Sequence, residues 1–225
     1  MTRRNLLAGG LLLVLVLGIG LSVYVPRYLE SQAAQRRFET EADNIADIMQ
    51  LRPGATVADI WAGNGRWSVD LAHRLGPDGH VYVIAGPTDP IREIYANIAT
   101  AELDNLTVLE ATRDQPLGWL QADCCDALLV RNVYHDLPDR VEVARMLAAE
   151  IHPEGRIAVI DFPPDAPQAQ PGHGIERDVI VQEMASVGFQ IARDIRDWMD
   201  DSYCIVFAKP ATVATPQEPP PPPRP

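Results

Sequence analysis

The chain has 225 residues, with 31 acidic against 19 lysine and arginine side chains, a formal net charge of −12 at pH 7 and a pI of about 4.7. That balance excludes nucleic acid and anionic membrane surfaces as electrostatic partners. The three cysteines, Cys124, Cys125 and Cys204, show no metal-ligand spacing, and the adjacent pair is poorly placed to close on itself, so neither a metal set nor a disulfide framework is expected.

In chain order, Met1 to Asn5 carries two arginines, and Leu6 to Val25 follows as a run of uncharged residues, mostly Leu, Val and Gly. At ~1.5 Å per residue this run reaches ~30 Å, one bilayer core. Tyr24 and Tyr28 stand where interfacial aromatics belong. Residues 1–27 are therefore expected to form a single-pass membrane anchor. A cleaved signal peptide is the alternative, since Gly18, Gly20 and Ser22 offer small residues near a cleavage point. Arginines flank both ends, so charge leaves the orientation open.

Residues 28–210 are expected to form one α/β domain. Gln35 to Leu51 carries Phe38, Ala42, Ile45, Ile48 and Met49 at helical spacing. After the turn Pro53-Gly54, Thr56 to Ile60 reads as a short buried strand, and Arg66 to Leu75 as a helix. The loop between them, Trp61-Ala62-Gly63-Asn64-Gly65, is small apart from Trp61. Strand, glycine loop and helix is the arrangement in which backbone N–H groups face a ligand; an ordinary strand-turn-helix with a core tryptophan is the alternative. If residue 61 takes a positive φ, its side chain costs about 1–2 kcal/mol.

A second strand, His80 to Ile84, leads to Ala85 and Gly86-Pro87-Thr88-Asp89, where Asp89 is read as the N-terminal acid of the helix Ile91 to Ala99. Leu106 to Glu110 is the third strand, followed by a loop containing Asp114. Ala127 to Val130 is the fourth, running into Arg131-Asn132-Val133-Tyr134-His135-Asp136-Leu137. The helix Val141 to Ala149, the turn His152 to Gly155 and the strand Arg156 to Ile160 come next. A proline-rich loop from Asp161 to Gly174 then places His173 at the same sheet edge as the glycine loop, where it is expected to act as a lid. The helix Glu176 to Val187, stopped by Gly188, precedes two strands, Phe189 to Ile195 and Tyr203 to Ala208. Residues 211–225 form a proline-rich tail expected to be an extended, disordered tether.

Asp59-Ile60-Trp61-Ala62-Gly63-Asn64-Gly65 resembles the first motif of class I S-adenosylmethionine-dependent methyltransferases, acid-x-Gly-x-Gly-x-Gly, with Trp61 in the first glycine position. Asn132 to Leu137 is similar to the segment after the fourth strand in a small-molecule branch of that superfamily. The turn His152 to Gly155 and the helix-Gly-Phe ending also resemble it, so the likeness spans roughly Gln35 to Pro210. It implies a Rossmann-like, doubly wound, seven-stranded sheet, mostly parallel with one antiparallel strand near the C-terminus.

The resemblance further implies S-adenosylmethionine as cofactor, held by Asp59, Trp61, Ala62, Gly63, Gly65, Ala85, Asp114 and Asn132. Asp114 would take the adenine amino group, although it reads equally as a solvent-facing loop acid. Tyr134 and His135 would be the catalytic pair beside the acceptor, with His135 a base and Tyr134 or Asn132 positioning; the alternative is that both rings are satisfied within their loop. Ala85 stands where the family has an acid on the ribose hydroxyls, and a hydrogen bond to a charged group is worth about 1.5–3 kcal/mol. Thr88 or Asp89 are the loop substitutes. The acceptor is expected to be a small or lipid-like molecule, the latter suggested by the anchor. Because the cofactor is cytosolic, the domain is expected on the cytoplasmic side. A catalytically degenerate binding or scaffold domain outside the cytoplasm is the second reading. An NAD-linked oxidoreductase is disfavoured, because the acid precedes the glycine loop and none follows the second strand.

Overall fold

The computed structural model describes residues 29–167 and 169–210. The expected anchor and tail lie outside the described residues, among which no helix is long and apolar enough to cross a membrane. Contacts fall into two units, Met1–Asn44 and Ile45–Pro225. The described part of the first is helical throughout, and this helix, α1, runs over residues 29–48.

The second unit is built on seven strands: β1 Thr56–Ile60, β2 His80–Ala85, β3 Leu106–Glu110, β4 Cys125–Arg131, β5 Ile151–Asp161, β6 Gln190–Ile195 and β7 Tyr203–Ala208. Four further helices accompany them: α2 Arg66–Leu75, α3 Ile91–Ala101, α4 Arg140–Glu150 and α5 Arg177–Ser186. Sheet order is β3-β2-β1-β4-β5-β7-β6. β1 to β5 are parallel, and β7 runs antiparallel to both β5 and β6. This is the expected doubly wound sheet with one reversed strand.

The central strands read as unbroken apolar runs because both faces are covered. On one face Ala58, Ile60, Leu128, Val130, Ile157 and Val159 pack with Leu147 of α4 and Ile180 and Met184 of α5. On the other, Val57, Val81, Val83, Leu129 and Ile160 pack with Ile45, Ile48, Leu71, Leu75 and Ile94. Each fully buried Leu or Ile side chain contributes about 1.5–3 kcal/mol, so the two clusters hold the sheet rigid. The chain turns from β3 back to β4 on the far side of β1. That reversal opens a crevice at the carboxyl ends of β1 and β4, where ligands of open α/β sheets bind.

Two expectations need correction. The turn at residues 152–155 is drawn into β5, which starts at Ile151 with an irregular register against β4; Lys209 Nζ donates to the Ile151 carbonyl there. The adjacent Cys124 and Cys125 are joined as a vicinal disulfide, and Cys204 is free and buried.

Candidate functional site

The β1 end is organised by a buried acid. Asp59 accepts a hydrogen bond of 2.6 Å from Ser68 Oγ in the first turn of α2. Burial raises its pKa to about 6, against the opposing pull of Ser68 and of the Arg131 charge, with Asp89 adding to the rise. The carboxyl thus pins α2 to β1 beneath the loop. The loop glycines differ in task. A Cβ on Gly65 would come within 3.2 Å of Ile94 Cγ2, so Gly65 seats the loop on α3. Above Gly63 (φ +58) a Cβ would meet nothing within 4 Å, so this residue presents open backbone. Ala62, just before them, is buried, its N–H donating to the Ile84 carbonyl.

Trp61 does take the left-handed conformation, at φ 52. Its indole lies against Gly86, where an added Cβ would stand 2.9 Å from the ring. Its Nε1–H donates to the Pro116 carbonyl at 3.0 Å. The ring therefore reaches from the β1 loop across the end of β2 to the loop after β3. Ala85, buried as the last residue of β2, offers no polar side chain there.

Asp89 is not the cap of α3, whose N-cap is Pro90 with no side-chain bond. Its Oδ2 instead accepts from the backbone N–H of Gly86 at 2.7 Å and of Gly63 at 3.1 Å, stapling the β1 and β2 loops together. Burial raises its pKa, and the two N–H groups moderate the rise. Asp114 sits exposed in the turn closed by Thr112 and Gln115.

At the end of β4, Asn132 is also left-handed (φ 56), its N–H donating 2.7 Å to the Ile160 carbonyl. Its Oδ1 is buried without a hydrogen-bond partner. Beside it, the Arg131 guanidinium lies 4.5 Å over the Trp67 ring of α2.

Tyr134, expected beside the acceptor, is placed by the fold in the core. Its side chain is 0% exposed within the α4–α5 core cluster. The hydroxyl donates 3.1 Å to Glu183 Oε2, which Arg140 also holds through Nε at 3.0 Å. Burial and the Glu183 charge push the phenol well above its ordinary range. The two rings part at the 3-10 turn Tyr134–Asp136: side chains there step by roughly 120°, so Tyr134 faces α4 and α5 while His135 faces the end of β5.

His135 is the residue that meets the open end of the sheet, though its side chain is only 6% exposed. Nδ1 lies 2.9 Å from Asp161 Oδ1, and its backbone N–H donates 3.2 Å to Oδ2. Asp161, the last residue of β5 and fully buried, also accepts from the Phe162 N–H at 2.9 Å. Burial alone would lower the imidazole pKa, but the Asp161 hydrogen bond and charge, with Asp136, outweigh it and raise the value; Arg140 opposes them. The ring rests on Phe162, centroids 5.0 Å apart, and meets His173 edge-on at 5.7 Å.

Asp161 and Asp136 were not singled out from the sequence. Asp161 had a signal, for an apolar strand ending in a carboxylate repeats the pattern of β1 and Asp59. A cavity of about 860 Å³, lined by Arg52, Asp126, His152, Glu154 and Arg156 among others, opens at the amino ends of the strands, away from all these residues.

No protein-family model matches the chain. Over 115 residues it is 24% identical to a demethylmenaquinone methyltransferase of Listeria monocytogenes, covering 51% of this chain and 47% of that protein. Over 133 residues it is 27% identical to a 27-O-demethylrifamycin SV methyltransferase of Amycolatopsis mediterranei, covering 59% and 48%. The chain thus spans about half the length of the curated relatives it matches. In structure it resembles a SAM dependent methyltransferase from Aquifex aeolicus, with a TM-score of 0.66 and 18% identity over 74% of this chain and 88% of that one. At such identity the likeness is one of fold.

Proposed function

We propose that this chain, which has the fold of the class I S-adenosylmethionine-dependent methyltransferases, transfers a methyl group from that cofactor to a small molecule. One observation carries the reading: a glycine loop open above Gly63 leaves β1 and a His135–Asp161 pair leaves β4 and β5, all at the carboxyl edge of the sheet where its strand order reverses. The curated relatives support it, and their names, for demethylmenaquinone and demethylrifamycin, support a small-molecule acceptor.

The cofactor supplies an electrophilic methyl on a sulfonium; the protein has to position and deprotonate. Gly63 lets a ligand approach the backbone. The partnerless Oδ1 of Asn132 suits a cationic amino group. Asp161 keeps the His135 proton on Nδ1, which leaves the Nε2 lone pair to take a proton from an acceptor hydroxyl.

The nucleoside half fits less well. The indole of Trp61 lies over Gly86, Ala85 carries no acid, and Asp89 already uses the Gly63 and Gly86 N–H groups. An adenosyl group therefore either stacks on the outer face of the indole or displaces it from Gly86. The second reading, a binding domain that has lost catalysis, has only this indole behind it, while the relatives are named as methyltransferases. Equilibrium titration with labelled S-adenosylmethionine separates the two: saturation supports the enzyme, and no binding at millimolar concentrations overturns it. Anchoring by residues 6–25 with the domain on the cytoplasmic side belongs to the same proposal, supported by that apolar run. A topology reporter fused after Pro225 tests it, and a periplasmic signal overturns that part.

A further inference from the structure

Three potential ligand side chains cluster at the carboxyl end of β5, outside the glycine loop. His135, Asp136 and His173 each offer a ligand atom, and these atoms all lie within 4.8 Å of one another. His135 Nε2 is 3.4 Å from Asp136 Oδ2, and His173 Nδ1 is 3.6 Å from Asp136 Oδ1. Around a zinc-like ion with bonds of about 2.0–2.1 Å, tetrahedral ligands stand roughly 3.3 Å apart. Two of the separations already match. We propose that His135 Nε2, the Asp136 carboxylate and the His173 ring bind one divalent metal ion of the zinc class.

Two features show that the cluster is held in place. The first lies behind His135: the buried Asp161 carboxylate on Nδ1 fixes the tautomer and turns the Nε2 lone pair outward. This is the carboxylate–histidine–metal arrangement by which proteins orient a ligand and raise its basicity. The second is the loop that carries His173. Gly174 (φ +87) crosses the β5 exit so closely that a Cβ would stand 2.9 Å from the Phe162 carbonyl. The Ile175 N–H donates 2.9 Å to that same carbonyl, and the His173 N–H 2.9 Å to Gln170. The backbone is thus pinned over His135 while the His173 side chain, 46% exposed, remains free to close the last gap.

Two imidazoles and one carboxylate select zinc, cobalt, nickel or ferrous iron over magnesium and calcium, which want oxygen ligands. Three protein ligands leave a coordination position open to water or a substrate oxygen. The binding proposal does not depend on methyl transfer. A metal and a proton compete for Nε2, so a bound ion would replace the imidazole as base and would supply Lewis acidity to an acceptor oxygen.

The test is calorimetric titration of the full chain with Zn²⁺, and with Co²⁺ as an optical probe, in the absence of any nucleoside. One equivalent is expected at micromolar concentrations, with visible cobalt bands of low coordination number. His173→Ala and Asp136→Asn, both at half-exposed positions, should each weaken binding at least about tenfold, as losing a ligand exceeds losing its support. His152→Ala, at the amino end of the sheet, should leave the stoichiometry unchanged. Absence of saturable binding, or binding that survives both His173→Ala and Asp136→Asn, overturns the assignment.

Discussion

Trp61 lies across Gly86: with any Cβ at residue 86 only 2.9 Å from the indole, the ring at 61 and the missing side chain at 86 are complementary. Gly86→Ala must push the ring off the end of β2, and overpacking of this kind costs about 1–3 kcal/mol. Trp61→Gly works in the other direction. It relieves a φ of +52 worth about 1–2 kcal/mol in strain and uncovers the nucleoside side of the crevice. Thermal denaturation of both variants, with cofactor titration of Trp61→Gly, checks this. The expected outcome is a less stable Gly86→Ala protein and tighter S-adenosylmethionine binding by Trp61→Gly. Weaker binding by Trp61→Gly would make the indole a stacking platform, and unchanged binding would remove it from the site.

Asp59 makes folding stability depend on pH. Its folded pKa of about 6 lies above the ordinary carboxyl value because burial disfavours the charge. A raised acid binds its proton more tightly folded than unfolded, so stability is full below about pH 4 and declines as pH rises through about 6. The whole gap corresponds to roughly 3 kcal/mol. Asp59→Asn keeps an oxygen for the Ser68 hydroxyl and never ionises. Its melting temperature should match the parent at pH 4 and exceed it at pH 8. A difference that does not grow with pH refutes the assignment.

Tyr134→Phe tests whether the phenol serves the core or the crevice. Removing the hydroxyl leaves Glu183 with Arg140 and deletes one hydrogen bond to a charged acceptor. The expected cost is about 1–3 kcal/mol in chemical denaturation, with S-adenosylmethionine binding per folded molecule unchanged. Weakened binding at full stability would restore Tyr134 to the crevice.

How much of this was legible in the sequence depended on whether the cause was local. β1, β2 and β4 were readable because burial on both faces leaves runs such as Val-Tyr-Val-Ile with no polar period. Trp61's positive φ was foreseeable from the motif position it fills. Asp89 was misread because its partner Gly63 lies 26 residues back, across two loops, and only the folded sheet brings them together. The choice between Tyr134 and His135 as the inward ring is made by α4 and α5, which the local sequence does not reveal. The His135–Asp161 pair was within reach: once β4 and β5 are neighbours, the residues leaving their carboxyl ends must meet.

Asp161 is expected to govern both the tautomer and the ligand strength of His135. In Asp161→Asn the single amide oxygen cannot serve the imidazole and the two N–H groups of His135 and Phe162 that the carboxylate now accepts. Leaving one buried donor unmatched costs about 1–3 kcal/mol of stability. The amide can also rotate to present its NH₂ to Nδ1, which moves the imidazole proton to Nε2 and removes the outward lone pair. Nitrogen NMR of the imidazole should show Nδ1 protonated in the parent and a shift toward Nε2 protonation in the variant. Zn²⁺ affinity should fall by about 10–100-fold, the usual effect of removing a ligand's supporting carboxylate. A variant that keeps the parental tautomer and affinity while losing only stability would reduce Asp161 to a backbone anchor, and the orientation of His135 would then have to come from its packing on Phe162.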